Sequence, residues 1–143
     1  MKKILIAEDD NKIGAALEIR LKAAGYKVQV LPDGFRSYIR AMTEQPDLIL
    51  MDIFMPSGSG LEVAQELRNA GLAGIPIIFM TASKEKNLRE RAEKLNAVGF
   101  FEKPFDAKKL LAAISCALQS KPSTTAITPL KSAAPNKRAA KRD

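Results

Sequence analysis

Histidine and tryptophan are absent from the 143 residues, and there is a single cysteine. Without histidine the chain has no Ser-His or Cys-His catalytic pair, no imidazole metal ligand and no phosphohistidine of its own. One thiol, Cys116, cannot form an intramolecular disulfide or a paired-cysteine zinc site, which fits a reducing, cytoplasmic setting. Long hydrophobic runs are also missing. The stretch after Met1-Lys2-Lys3 is only Ile4-Leu5-Ile6-Ala7 before three acids, too short for the apolar region of a signal peptide. No stretch is long enough to span a membrane.

Apolar residues make up 46% of the chain, enough to bury one core. The formal net charge of +7 points at first sight to nucleic acid, but its distribution weakens that reading. Residues 121–143 carry six Lys/Arg and one acid, or +5, which leaves 17 basic and 15 acidic residues, or +2, in residues 1–120. After Ser120 three prolines and scattered Ser, Thr and Ala read as a flexible basic tail. The expected division is therefore a folded domain over 1–120 and a tail over 121–143.

Within 1–120, short apolar runs alternate with helical patterns. Residues 4–7, 27–31, 48–51, 75–80 and 99–102 read as strands, with Pro76 at a strand start. Ile13, Ala16, Leu17, Leu21 and Ala24 follow helical spacing, and Gly25 closes that helix. Phe35, Tyr38, Ile39 and Met42 repeat at i, i+3, i+4, i+7. Val63, Leu67 and Ala70, closed by Gly71, mark a third helix; Leu88, Ala92 and Leu95 mark a charged fourth. Leu110, Ala113, Ile114, Ala117 and Leu118 mark the last. Five strand–helix pairs predict an α/β fold, a doubly wound parallel sheet in the order 2-1-3-4-5 with helices on both faces. Cys116, amid small apolar residues, is expected to be buried, and Met42, Met51, Met55 and Met80 to pack in the interior.

Such sheets place their sites beyond the C-terminal strand ends. Glu8, Asp9 and Asp10 follow the first strand, and Asp52 ends the third, its neighbour in that order. Like charges at about 4 Å and an effective dielectric near 20 repel by roughly 4 kcal/mol, which a bound divalent cation relieves. With oxygen ligands alone, Mg²⁺ or Mn²⁺ is favoured over zinc. Capping of the following helix by Asp10 or Asn11 accounts for the first three acids equally well. Asp52 is harder to dismiss, because an acid set directly after Leu-Ile-Leu-Met is half-buried and needs a partner. Thr81 closes the fourth strand with a hydroxyl, and Lys103 the fifth with an ammonium, ahead of Pro104, which can take a cis bond. Singly each is an ordinary strand-end residue; together, complementary polar groups end four of the five strands.

These pieces resemble the response-regulator receiver family over residues 1 to about 120. They are Ile4-Leu5-Ile6-Ala7-Glu8-Asp9-Asp10, Pro46-Asp47-Leu48-Ile49-Leu50-Met51-Asp52-Ile53-Phe54-Met55-Pro56, Met80-Thr81-Ala82 and Phe101-Glu102-Lys103-Pro104-Phe105, in matching order and spacing. The resemblance implies a flavodoxin-like fold and a signalling receiver, not an enzyme in the ordinary sense. It implies Asp52 as phosphoacceptor and a Mg²⁺ held by Asp9, Asp52 and the Phe54 backbone carbonyl, with Glu8 acting through water. It implies Thr81 and Lys103 as the hydroxyl and the cation at the phosphoryl group, and Thr81 with Phe100 as the switch pair. The implied donor is a sensor histidine kinase or phosphotransfer protein, and the implied output is a remodelled surface for a downstream protein. Ser59 stands where many relatives carry Asp, and Phe54 is a bulky residue able to shield the phosphorylated Asp52 from water.

No effector domain follows in the sequence, so a stand-alone receiver is expected, although a segment of a longer regulator would look the same. Two other readings compete. One is a nucleic-acid or acidic-surface binder acting through Lys137-Arg138 and Lys141-Arg142, against which a solubilising tail is the simpler account. The other is a degenerate receiver that binds without phosphorylation, against which the intact set Glu8, Asp9, Asp52, Thr81 and Lys103 argues. Neither nucleic acid nor a membrane is an expected partner.

Overall fold

The computed structural model describes residues 1–119, so expectations for the tail lie outside the described residues. Ten elements alternate along it: β1(Lys3–Ala7), α1(Asn11–Ala23), β2(Lys27–Leu31), α2(Gly34–Glu44), β3(Leu48–Asp52), α3(Gly60–Asn69), β4(Ile77–Thr81), α4(Leu88–Lys94), β5(Gly99–Glu102) and α5(Ala107–Gln119). All neighbouring strands pair in parallel, in the order β2-β1-β3-β4-β5. The expected α/β fold and strand order both hold.

Every residue of β3 and β4 is buried, whereas the edge strands β2 and β5 are half-exposed. A central parallel strand is covered on both faces, which is why its sequence is apolar without alternation. Residues one apart on a strand feed opposite cores. Leu5, Ile49, Met51, Ile77 and Phe79 pack with residues of α3 and α4 on one side, and Ile4, Ile6, Leu48, Leu50, Ile78 and Met80 with α1 and α5 on the other. Each such side chain contributes about 1.5–3 kcal/mol of burial energy, which offsets the cost of carrying polar groups at the strand ends.

Local sequence sets the boundaries. Asp10 caps α1, its carboxylate accepting from the Lys12 and Ile13 N–H groups, and Ser59 caps α3 in a reciprocal box with Glu62. Gly25 and Gly71 take left-handed conformations one residue past the caps of α1 and α3. β4 begins at Ile77 rather than at residue 75. Pro76 stands just before it, where it lacks an N–H to give but its carbonyl still accepts from Ile49 N–H at 3.0 Å.

Several side chains are not where pattern alone puts them. On α2 the fully buried residues are Gly34, Ser37 and Ala41; of the residues at helical spacing Tyr38 is half-buried against the core, while Phe35 and Ile39 are 64% and 44% exposed and Met42 sits at the surface. The helix lies too close to its neighbours for bulk: a Cβ on Gly34 would sit 2.8 Å from the Gly58 carbonyl oxygen and 3.2 Å from Val63. On α1, Ala16 and Ala24 are exposed, and Gly14 takes the buried place beside Leu17 and Leu21. On α5 the buried pair is Leu110 and Ile114, and Cys116, two residues on and so on the far side of the helix, is exposed.

Candidate functional site

Register brings the acids together. Ala7 pairs with Met51, so the next residues, Glu8 and Asp52, leave β1 and β3 side by side. Asp52 pairs with Met80 and Thr81 with Glu102, so Thr81 and Lys103 each stand one residue further along the same rim. Carboxylate oxygens of Glu8, Asp9 and Asp52 all lie within 4.8 Å of one another, a group that could hold a metal ion. Glu8 and Asp52 are buried and Asp9 is exposed, so the cluster has a wall and an open side. An all-oxygen donor set of this kind suits Mg²⁺.

Lys103 reaches into the cluster. Its Nζ donates to Glu8 Oε1 at 2.7 Å and to Asp52 Oδ2 at 2.9 Å. Charge-assisted bonds of this length are the strong class, and the lysine side chain is only 12% exposed. The Lys103–Pro104 peptide bond is cis. The remaining oxygens are used locally: Asp52 Oδ1 accepts from Phe54 N–H at 3.2 Å, and Glu8 Oε2 from Asp10 N–H at 3.1 Å.

Burial raises the Glu8 carboxyl from 4.5 to about 7; the hydrogen bond from Lys103 opposes this, and the neighbouring Asp52 adds to it. Burial pulls Lys103 down, yet its hydrogen bonds to Glu8 and Asp52 and their charges leave it raised on balance. Glu8 is the group that gives way, because its side chain is the more deeply buried of the two acids that share one cation.

Thr81 is fully buried and its hydroxyl accepts from Ser83 N–H at 3.0 Å. Phe100 is half-buried against the core that contains Phe79, and the Arg89 guanidinium carbon lies 4.7 Å from its ring centroid. Phe54, two residues after Asp52, is 46% exposed. Phe101 turns to the other core, edge-on to Phe105 at 6.1 Å between centroids.

Three supporting features were not singled out from sequence. Gly60 lies directly beneath Asp52, where a Cβ would collide with the Asp52 carbonyl oxygen, and its N–H donates to Ile53 O at 2.6 Å. The start of α2 is tied to the loop after β3: Gly34 N–H donates to Pro56 O at 3.1 Å, and the Ser57 hydroxyl to Asp33 at 3.2 Å. Arg89 is the third. A glycine at a helix start is a legible signal; a cation over a ring across two elements is not.

A family model of the response regulator receiver domain matches residues 4–115. A probable transcriptional regulator of Galdieria sulphuraria is 39% identical over 82% of this chain and 46% of its own length. The alkaline phosphatase synthesis transcriptional regulatory protein PhoP of Bacillus subtilis is 34% identical over 82% of this chain and 49% of its own. The chain thus spans about half the length of these relatives. Among solved structures, the non-phosphorylated HemR receiver domain of Leptospira biflexa superposes with a TM-score of 0.79 at 25% identity, covering 87% of this chain and 100% of that one. A Vibrio cholerae chemotaxis protein gives 0.75 at 26% identity, covering 82% and 98%.

Proposed function

The chain belongs to the response regulator receiver domain family, and from that membership we propose that it accepts a phosphoryl group on Asp52 with Mg²⁺ bound beside it. The observation that carries this reading is the single Lys103 ammonium shared by two buried carboxylates, Glu8 and Asp52. A structural ion pair needs one acid. A second acid, with Asp9 alongside, leaves an excess of negative charge that a divalent cation relieves.

Phosphoryl transfer asks the protein for alignment and charge stabilisation more than for covalent chemistry. An Asp52 carboxylate oxygen attacks the phosphorus of a phosphohistidine on a sensor kinase or phosphotransfer protein. The P–O bond forms as the P–N bond breaks, and the electron pair returns to the imidazole nitrogen. Lys103, 2.9 Å from Asp52, offsets the charge on the transferred oxygens. Asp9, Asp52 and the Phe54 carbonyl would hold the metal directly and Glu8 through water; Mn²⁺ shares the same oxygen preference. When bound, the ion supplies further neutralisation of the phosphoryl oxygens.

Thr81 then turns its hydroxyl from Ser83 N–H toward the phosphoryl group, and Phe100 moves into the space behind it. That remodels the face formed by α4, β5 and α5 for a downstream protein. Residues 1–120 form the receiver and 121–143 an appended basic segment, and the place of action is the cytoplasm. Among the described residues no helix is long and apolar enough to cross a membrane.

Incubation with Mg²⁺ and acetyl phosphate, followed by intact mass, tests the proposal. A phosphate adduct on the native chain and none on Asp52→Asn is expected. No adduct on the native chain would leave a receiver that binds without phosphorylation.

A further inference from the structure

We infer that Arg89 is a positioning residue, a latch that holds Phe100 in its resting place and must release it when the receiver switches. The inference rests on the reading of Asp52 and Phe100 given above.

The contact is specific. The guanidinium lies over the ring at 4.7 Å from the centroid, within the reach of about 6 Å for a cation on an aromatic face. Among the described residues Arg89 forms no salt bridge, so the ring is the partner of its charge. Phe100 has no hydroxyl with which to hold itself at the surface by hydrogen bonding. One part of the ring packs on the core that contains Phe79 and Leu88, and its π face is the only polar handle it offers. A cation from α4 takes that handle.

Of the two elements being joined, β5 is paired with β4, and α4 is the one with few ties. α4 has seven residues, of which Leu88 and Ala92 are buried, and Asn87 at its start makes no side-chain cap. A helix this short has little stability of its own and depends on what it touches. A second tie lies nearby, from Lys84 in the loop before α4 to Glu102 at 3.1 Å, but those side chains are 72% and 51% exposed, so salt and water weaken it. The Arg89–Phe100 contact is the one with a half-buried member.

The contact belongs to the resting arrangement. Thr81 keeps its hydroxyl on Ser83 N–H and makes no hydrogen bond with Asp52. Phe100 pairs in register with Phe79, two residues before Thr81, so the ring and the hydroxyl lie on one side of the same strand pair. An inward turn of Phe100 draws the ring away from the guanidinium. The lost contact opposes switching, and it frees an arginine on the α4 surface at the moment the face changes.

Removing the latch therefore makes the switched state easier to reach. With Mg²⁺ and beryllofluoride as a stable phosphoryl mimic, Arg89→Ala is expected to tighten the apparent affinity by about two- to five-fold, the factor an exposed cation–ring contact supplies. In a Phe100→Leu background the same substitution is expected to change nothing. An unchanged affinity in the native background overturns the latch, as does an equal gain in both backgrounds, which would mean a general charge effect.

A second measurement does not depend on the mimic. The ring current of Phe100 is expected to shift the Arg89 side-chain proton resonances upfield in the ligand-free protein and to leave them at random-coil positions in Phe100→Leu. Random-coil positions in the native protein overturn the latch even if the mimic binds. If the mimic fails to bind the native chain while those protons are shifted upfield, the phosphoacceptor reading falls and the resting contact stands.

Discussion

Lys103 Nζ stands 2.9 Å from Asp52 Oδ2 across 51 residues of sequence, and the same nitrogen stands 2.7 Å from Glu8 Oε1. One cation serves two acids because three strands end at one rim in register. Removing it leaves two carboxylates with no cation between them in a partly dry site. Lys103→Met is therefore expected to cost about 3 kcal/mol in Mg²⁺-free buffer at about pH 8, the lower end for breaking a buried pair because the site has an open side. Urea unfolding measures it. A loss below about 0.5 kcal/mol would mean the pairing contributes nothing to the fold.

The Glu8 carboxyl gives a pH dependence with a definite sign. Its folded-state value, about 7, lies above its ordinary 4.5, so the folded protein holds that proton more tightly than the unfolded chain. This contribution to stability is complete below about 4.5 and is lost as pH rises through about 7. A divalent cation takes over the proton's task where the proton is gone. The rise in thermal midpoint on adding Mg²⁺ should accordingly be larger at about pH 8 than at about pH 5. An equal rise at both would contradict the assignment of the proton to Glu8.

Asp52 is among the causes of the raised Glu8 carboxyl. Burial remains the main cause, but Asp52→Asn removes that charge while keeping the shape of the side chain, so the Glu8 value should fall below about 7. Carboxyl-carbon NMR of Glu8 across a pH titration reads this directly. The same variant takes a buried charge away and should unfold no more easily than the native protein.

Much of the site is legible in the sequence. An acid directly after Leu48-Ile49-Leu50-Met51 has to end a buried strand; Thr81 follows Ile77-Ile78-Phe79-Met80 in the same way, and Lys103 follows Phe100-Phe101 with Glu102 between. Strand order then does the rest, because parallel strands share one rim. Helix faces were less legible. Phe35, Ile39 and Met42 repeat at helical spacing, yet α2 turns Gly34, Ser37 and Ala41 inward, and Cys116 lies outside although its neighbours are small and apolar. Periodicity says that a helix has two unlike faces; closeness to the next element decides which one fits. Arg89 over Phe100 was beyond reach for another reason, since such a contact needs the spacing of two elements and not the content of either.

Gly60 and Gly74 separate packing from backbone freedom. A Cβ at Gly60 would strike the Asp52 carbonyl oxygen, whereas one at Gly74 meets nothing within 4 Å. Gly60→Ala should cost about 1–3 kcal/mol through overpacking and disturb the acceptor loop with it. Gly74→Ala should be neutral or stabilise by up to about 1 kcal/mol, because the unfolded chain loses freedom. Denaturant midpoints of the two variants suffice, and a similar cost in both would refute the close approach under Asp52.

The two sides of α2 make the sharpest comparison, because pattern and structure disagree at Phe35, Ile39 and Met42 and agree only at Tyr38. If Phe35 and Ile39 faced the core, Phe35→Ser or Ile39→Lys would cost several kcal/mol, about 3–5 for a truncated buried aromatic. They are 64% and 44% exposed instead, so each change should stay within about 0.5 kcal/mol of the native protein. Ala41 is fully buried within the core, and Ala41→Leu adds three carbons there. That variant should lose about 1–3 kcal/mol although it raises apolar content and replaces one good helix former by another. Thermal unfolding of Ile39→Lys and Ala41→Leu side by side decides the matter: a stable Leu variant with an unstable Lys variant would mean that α2 is rotated about its axis from the orientation described.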